Sequence, residues 1–199
     1  MKQIIFISII FLLPTFGVRA QKLNVVVNYV AGNDSKNSNN INYTAGNMLS
    51  WSDFQAKPVE ASDAAAITNA GFGVNLLFRR NEKGTELVIN VNCSFSRKDS
   101  WVKKVHKTDY ILKHEQGHFD IAFINTISFM QKLRNASFTA SNYAAVIEKI
   151  YNQSVNEMST MQNQYDSQTD HSKISEKQAD WDNKIGQLVS LAIKDQTVE

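Results

Sequence analysis

The stretch LKHEQGHFDIA holds two of the chain's four histidines, His114 and His118, four positions apart with Glu115 between them. On an α-helix, residues four apart lie one above the other on the same face, so the two imidazoles can converge on one point. Glu115 lies roughly 100° further round the helix, where it can contact a water at that point without binding a metal itself. This H-E-x-x-H pattern is typical of zinc hydrolases, in which the glutamate takes a proton from that water. We therefore predict a Zn2+ site with His114 and His118 as ligands and Glu115 as the general base.

A third protein ligand has to come from outside this motif, because catalytic zinc has three protein ligands and one open position. The nearby third histidine of metzincins is absent, since Ile124 occupies its position. His171, in YDSQTDHS, and Glu148, in VIEKI, are the two candidates, and we favour His171. His106 lies two turns upstream and is too far along the helix axis to join easily.

Hydrolysis at such a site also needs a hydrogen-bond donor for the negative charge that develops on the carbonyl oxygen. Tyr165 and Tyr110 are candidates because they are close in sequence to the predicted ligands, although we favour buried packing as the interpretation of both. Asp166 follows Tyr165 and either orients a ligand histidine or begins a loop. The sequence leaves these roles open.

The first twenty residues have the pattern of a cleavable signal peptide. Lys2 supplies a short positive region, Ile4 to Leu13 form an apolar run, and small residues lead up to Ala20. The apolar run is too short for a comfortable bilayer span, which needs roughly 20 residues; an uncleaved membrane anchor is the alternative. We expect cleavage after Ala20, a mature chain that is periplasmic or secreted, and no stable membrane insertion once the signal is removed.

The charge balance argues against nucleic acid as a partner, and the cysteine count excludes an intramolecular disulfide. Removal of the signal takes away Lys2 and Arg19 and leaves 19 basic against 19 acidic residues. A chain without net charge has no basic field for nucleic acid, so we expect none as a partner. Cys93 is the only cysteine, which excludes an intramolecular disulfide, and its alternating apolar context predicts a small buried side chain.

The pattern of apolar residues changes along the chain and predicts an α+β fold. The first half has the alternation and β-branched content of an antiparallel sheet, with a polar loop, NDSKNSNNIN, after its first strand. Predicted strands cover 22–30, 71–80 and 86–96, with a hairpin turn at 81–84. Predicted helices cover 108–133, 142–164 and 174–194, the first of them carrying the histidines. No linker separates two units, so we predict one domain over 21–199.

Three stretches together resemble the bacterial DUF922 proteins, which are described as secreted zinc-dependent proteases of zincin-like type. They are LSWSDFQAKP, TDYILKHEQGHFDIA and YDSQTDHS, and the resemblance extends from about Met48 to Ile185. It implies His114 and His118 as ligands, Glu115 as base and, through its Y-D-x-x-T-x-H-G segment, His171 as the third ligand. Ser172 stands where that segment has glycine.

The leading hypothesis is therefore an exported zinc metallopeptidase that hydrolyses protein or peptide substrates. A second hypothesis is a non-catalytic, metal-stabilised envelope protein that binds a partner in the same cleft. A third is an exported interaction domain in which HEQGH is a chance match on a packed helix. Neither the substrate nor the oligomeric state follows from the sequence.

Overall fold

The computed structural model describes residues 23–32, 38–82 and 84–196. The predicted signal peptide, 1–20, and residues 33–37 of the predicted polar loop lie outside these ranges. The strands are β1 (Asn24–Tyr29), β2 (Asn40–Asn42), β3 (Ala66–Ile67), β4 (Ala70–Asn81), β5 (Gly84–Ser96) and β6 (Trp101–Val102). The helices are α1 (Asp109–Arg134), α2 (Tyr143–Thr169) and α3 (Ser175–Gln196), with short 3-10 turns at Trp51–Asp53 and Lys104–His106.

The main sheet is built around β5, and the α+β prediction is confirmed. β4 and β5 form the predicted antiparallel hairpin, closed by the Asn81–Gly84 pair. The other edge of β5 pairs first with β1, in parallel, and further along with β2, antiparallel. The parallel pairing of β1 differs from the predicted all-antiparallel sheet, because strand composition does not encode pairing direction. β2 forms from residues predicted as loop, where Asn40–Asn42 gain backbone partners on β5.

Helix α1 packs one face on the sheet and another on α2 and α3. It begins where predicted, with the Thr108 side chain accepting a hydrogen bond from the Ile111 amide at 3.2 Å. An apolar stripe of α1 lies opposite the histidines and enters the core, where Phe119, Phe123 and Met130 are buried beside residues of β5 that include Cys93. The histidine face of α1 is thereby directed towards α2 and α3. Within the described ranges no helix is long and apolar enough to cross a bilayer.

Helix α2 is longer than predicted, and the extra residues matter for the site. The sequence prediction ended this helix near Gln164, whereas the helix continues to Thr169. Tyr165 and Thr169 are fully buried, and the Thr169 hydroxyl donates to the Tyr165 carbonyl at 2.8 Å. Tertiary packing therefore stabilises a helical turn that its polar composition disfavours. As a result, Asp166 projects from the last turn of α2 instead of beginning a loop.

A polar cluster beneath α1 connects the helix to the segment before the first 3-10 turn. The Asp120 Oδ1 atom accepts hydrogen bonds from the Tyr43 hydroxyl at 3.0 Å and from the Gln116 amide at 2.8 Å. Gln116 in turn accepts from the Leu49 backbone amide at 2.9 Å. Burial raises the pKa of Asp120 above the ordinary carboxyl value, against the effect of both hydrogen bonds.

We predict that Asp120→Asn stabilises the protein at neutral pH and has little effect in acid. The folded state keeps the Asp120 proton to a higher pH than the unfolded chain, so stability is lost as pH rises from the ordinary carboxyl range through the folded pKa. Asparagine keeps the accepting oxygen and removes the charge. Urea unfolding at several pH values measures the difference, and Asp120→Ala, which loses both hydrogen bonds, should be destabilised throughout. A less stable Asp120→Asn at pH 7 would show that the charge itself is needed.

Candidate metal centre

Three side chains from α1 and α2 converge on one point. His114 and His118 place their Nε2 atoms 3.2 Å apart. The Asp166 Oδ1 atom lies 3.1 Å from the first and 3.0 Å from the second. These are the three described residues whose ligand atoms are grouped closely enough to hold a metal ion. Two imidazole nitrogens and a carboxylate oxygen form a donor set suited to zinc and to other divalent transition metals.

Two glutamines fix the histidine rings in the tautomer that a metal requires. The Nδ1 atom of His114 lies 2.8 Å from Gln178 Oε1, and the Nδ1 atom of His118 is hydrogen-bonded to Gln162 Oε1. Each glutamine donates its amide nitrogen elsewhere: Gln162 to the His118 carbonyl at 2.9 Å, Gln178 to Tyr165 and Asp182. The amide oxygens must therefore face the imidazoles, which places the ring protons on Nδ1. In its neutral form each imidazole then has its lone pair on Nε2, where a metal can bind.

The protonation states of Asp166 and His118 depend on each other. Burial disfavours the charged form of Asp166, yet hydrogen bonds from His114 and His118 lower its pKa well below the ordinary carboxyl value. Burial also works against protonation of His118, but Asp166 and the charge of Glu115 raise its pKa. A proton shared between His118 and Asp166 occupies the position that a cation would take. Metal affinity should therefore fall as the pH falls, since the metal must displace this proton.

Glu115 is buried beside the cluster and held by one hydrogen bond. Its Oε2 atom accepts from the Thr68 hydroxyl at 2.7 Å. Thr68 lies between β3 and β4, and the segment 64–70 around it forms one wall of a cleft of about 370 Å³ that Glu115 and the cluster also line. Glu115 Oε1 accepts no hydrogen bond from any described residue. One carboxylate oxygen is thus oriented and the other is left to accept a proton.

His171 lies at the rim of this cleft but not within the cluster. Its Nδ1 atom is 3.5 Å from Asp166 Oδ1, and its side chain is 55 % exposed. The backbone here is unusual, because Asp170, His171 and Ser172 all have positive φ, at 47°, 51° and 69°. Non-glycine residues in this region are strained and occur preferentially at functional sites. The φ of Ser172 also explains why glycine would suit that position.

The other residues singled out from the sequence lie apart from the metal cluster. Glu148 is exposed on α2, eighteen positions before Asp166, which is about 27 Å along the helix. Tyr110 is exposed on the first turn of α1, so its predicted burial is wrong. Tyr165 is fully buried, as favoured: its hydroxyl donates to the His114 carbonyl at 3.3 Å, and its ring stacks on His114. Tyr165 therefore packs behind the imidazoles and is not directed at the cleft.

Gly117 of α1 has a packing role against Tyr165 of α2. A Cβ atom at this position would lie 2.5 Å from the Tyr165 hydroxyl oxygen and 2.9 Å from its Cζ. These distances are shorter than side chains tolerate, so the absence of a side chain at Gly117 lets Tyr165 pack against α1 and support His114. The cost of glycine inside a helix, about 1 kcal/mol, is offset by this contact.

We predict that Gly117→Ala lowers the free energy of unfolding by about 1 kcal/mol, because overpacking costs roughly 1–3 kcal/mol and the better helix propensity of alanine recovers about 1 kcal/mol of it. Gly186, on α3, is the matched control: a Cβ there meets nothing within 4 Å. Gly186→Ala should therefore be more stable than the wild type by about 0.5–1 kcal/mol. Denaturant unfolding of both variants checks the pair, and equal stabilisation by both substitutions would disprove the packing argument.

Cavity size alone does not locate the site. A larger cavity of about 1110 Å³ lies beside β1 and the ends of α1 and α3, but none of the histidines lines it. The smaller cleft contains the whole donor cluster and Glu115. We assign the candidate site to the smaller cleft on its chemistry.

Comparison with known proteins finds a match to one family model, over part of the chain. The model of DUF922, described as a bacterial protein of unknown function, matches residues 91–172. This range runs from β5 to the connection between α2 and α3 and includes the whole donor cluster, Glu115 and His171. It is narrower than the resemblance predicted from the sequence, which extended from about Met48 to Ile185. No curated protein and no solved structure matches the chain.

Proposed function

We propose that this protein is exported and hydrolyses peptide bonds with a bound zinc ion. The observation that carries the proposal is the placement of Glu115 in the same cleft as the converging Nε2 atoms of His114 and His118 and the Asp166 carboxylate. A metal cluster used only for folding would not need a buried carboxylate with one oxygen held by Thr68 and the other available. The site combines a donor set and a base.

The residues present fit zinc. Catalytic zinc sites commonly use two histidines and a carboxylate and keep a fourth position open, and His114, His118 and Asp166 supply that set. Zinc bound there would lower the pKa of a water to about 7 and polarise a carbonyl oxygen. Gln162 and Gln178 hold the two imidazoles in the required orientation.

Glu115 has the position of a general base. Thr68 fixes the orientation of its carboxylate, so Oε1 can take a proton from a water in the cleft and deliver it to the leaving amine. His171, at the exposed rim, is placed to contact a substrate that enters from solvent. The low exposure of Glu115, 4 %, strengthens its electrostatic interactions in the cleft.

The surroundings of the cleft favour a polypeptide substrate. The wall formed by residues 64–70 contains four alanines, which leave room for substrate side chains. Ile67 lines the cleft and is exposed, and the exposed Tyr110 and Ile174 lie within two positions of lining residues in the sequence. Exposed apolar groups beside a cleft are typical of protein or peptide binding.

Incubation of the zinc-loaded protein with a mixture of synthetic peptides, read by mass spectrometry, tests the proposal. We expect cleavage that stops on addition of a zinc chelator and returns when zinc is restored. Absence of cleavage while one zinc stays bound would contradict peptide hydrolysis.

One observation favours a non-catalytic alternative. The Nδ1 atom of His171 is close enough to Asp166 that a small movement of the 170–172 connection could bring this histidine to the metal. Four protein ligands would close the site, and closed zinc sites are structural. The same protein would then bind a partner without turnover. In that case zinc removal should lower the melting temperature and no peptide should be cleaved.

A further inference from the structure

The outer face of the main sheet carries a row of asparagines on the side away from α1. Asn28 of β1, Asn90 of β5 and Asn75 of β4 are direct cross-strand neighbours. Asn92, two residues further along β5, continues the set, and its amide donates to Asn42 of β2 at 3.4 Å. The alternate residues of β5, such as Ile89, Val91 and Cys93, enter the core. The amides therefore share one solvent-facing surface.

A cavity of about 350 Å³ lies over this row. Four of the asparagines line it, at 42, 75, 90 and 92, together with Val30, which is 41 % exposed. None of the described residues that line the cavity carries a charge. It is also separate from the metal centre, which lies beyond α1 on the other side of the sheet.

Two glycines make room for the amides. A Cβ atom at Gly73, which faces Asn92 across β4 and β5, would lie 2.7 Å from Asn92 Oδ1. A Cβ atom at Gly32 would overlap the Asn42 amide. Any side chain at either position would displace an asparagine side chain. The two glycines therefore allow Asn42 and Asn92 to line the cavity.

Among the described residues, the hydrogen bonds of this row leave out Asn75. Asn28 donates to Asn90 Oδ1 at 3.2 Å, but the Asn75 amide has no hydrogen-bond partner among the described residues. Asparagine is also disfavoured in strands, whereas threonine is favoured. Neither a hydrogen bond within the described residues nor strand preference therefore explains an asparagine at position 75. A ligand that uses its donor and its acceptor would explain it.

The chemistry of the cavity indicates the class of ligand. Each amide offers a donor and an acceptor without charge, which matches hydroxyl groups and does not favour an ion. Asn75 and Asn90 lie opposite each other on neighbouring strands, which are about 4.8 Å apart, close to the length of one sugar ring in an extended glycan. Val30 provides an apolar surface for the C–H face of such a ring.

We propose that the face formed by Asn42, Asn75, Asn90 and Asn92 is a binding site for a neutral oligosaccharide, independent of the metal cleft.

NMR titration of the asparagine side-chain amides tests this proposal. The probes are two neutral hexasaccharides, one of glucose and one of N-acetylglucosamine, and hexaglycine as a peptide comparison. We expect at least one saccharide to shift the Asn75 and Asn90 amide signals with half-saturation on the order of 1 mM. Asn75→Thr should weaken this binding at least about tenfold with an unchanged or higher melting temperature. Asn24→Thr, four residues from Asn28 on the same face and outside the cavity, should bind as the wild type does.

Any of four results would overturn the proposal. The first is that neither saccharide shifts these signals at roughly 10 mM. The second is that hexaglycine shifts them more than the saccharides do, which would mean a peptide site. The third is that Asn24→Thr weakens binding as much as Asn75→Thr does. A loss of binding in Asn75→Thr that is accompanied by a lower melting temperature would also count against it, because the residue would then be structural.

Discussion

Replacement of Glu115 by glutamine is expected to lower the peptidase rate by about 10²–10⁴-fold and to leave the zinc content unchanged. Glutamine has the same shape, and its amide oxygen can still accept the hydrogen bond from Thr68 that Glu115 Oε2 accepts at 2.7 Å. It cannot take a proton from water, so the change removes the base and keeps the site. Initial rates of peptide cleavage, measured beside metal analysis of the same samples, give both quantities.

Glu148→Gln is the matched control for this substitution. Glu148 is exposed on α2 and far from the cluster, so its variant should have the wild-type rate and the wild-type zinc content. If Glu115→Gln loses zinc together with activity, Glu115 is a ligand and its assigned role is wrong. If Glu115→Gln keeps both, another group supplies the base.

Asp166, and not His171, is expected to be the third metal ligand. Asp166→Ala is expected to weaken zinc binding by more than about 100-fold, since even the loss of a group that only orients a ligand costs about 10–100-fold. His171→Ala should weaken it by less than about tenfold, because His171 is exposed and its Nδ1 atom lies 3.5 Å from Asp166 and outside the cluster. Competition with a chromophoric zinc chelator measures both affinities.

Asp166→Asn separates the charge of the ligand from its shape. It keeps an oxygen at the site but removes the carboxylate charge, so its affinity should lie between those of the wild type and Asp166→Ala. If His171→Ala instead binds zinc more weakly than Asp166→Ala does, then His171 is the third ligand, as the sequence and the DUF922 resemblance predict. Comparable large losses in both variants would support the closed, structural site.

The local part of the site could be predicted from the sequence because its geometry is local. His114, Glu115 and His118 occupy one helical turn, and the period of an α-helix alone brings the two imidazoles together. Thr108 as N-cap and the apolar stripe of α1 follow from equally local rules. The same reasoning placed the hairpin at 81–84, since turn residues separate two alternating runs.

The distant part of the site depends on where α2 ends. A helix that stops near Gln164 leaves Asp166 in a loop, and its direction is then undetermined. Once α2 continues to Thr169, Gln162 and Asp166 are four positions apart and face α1 together. The buried side of that turn, Tyr165 and Thr169, is the signal that could have extended the helix. Gln178 on α3 and Thr68 between β3 and β4 give no such signal, because only tertiary packing brings them to His114 and Glu115.

Metal analysis of the purified protein after zinc loading and desalting tests directly whether His114, His118 and Asp166 bind zinc. The wild type should retain one zinc per chain, and a variant that replaces both His114 and His118 by alanine should retain none. A wild type that retains no more zinc than this variant would contradict the metal centre. The close approach of His114, His118 and Asp166 would then be a buried ion-pair cluster that holds α1 and α2 together.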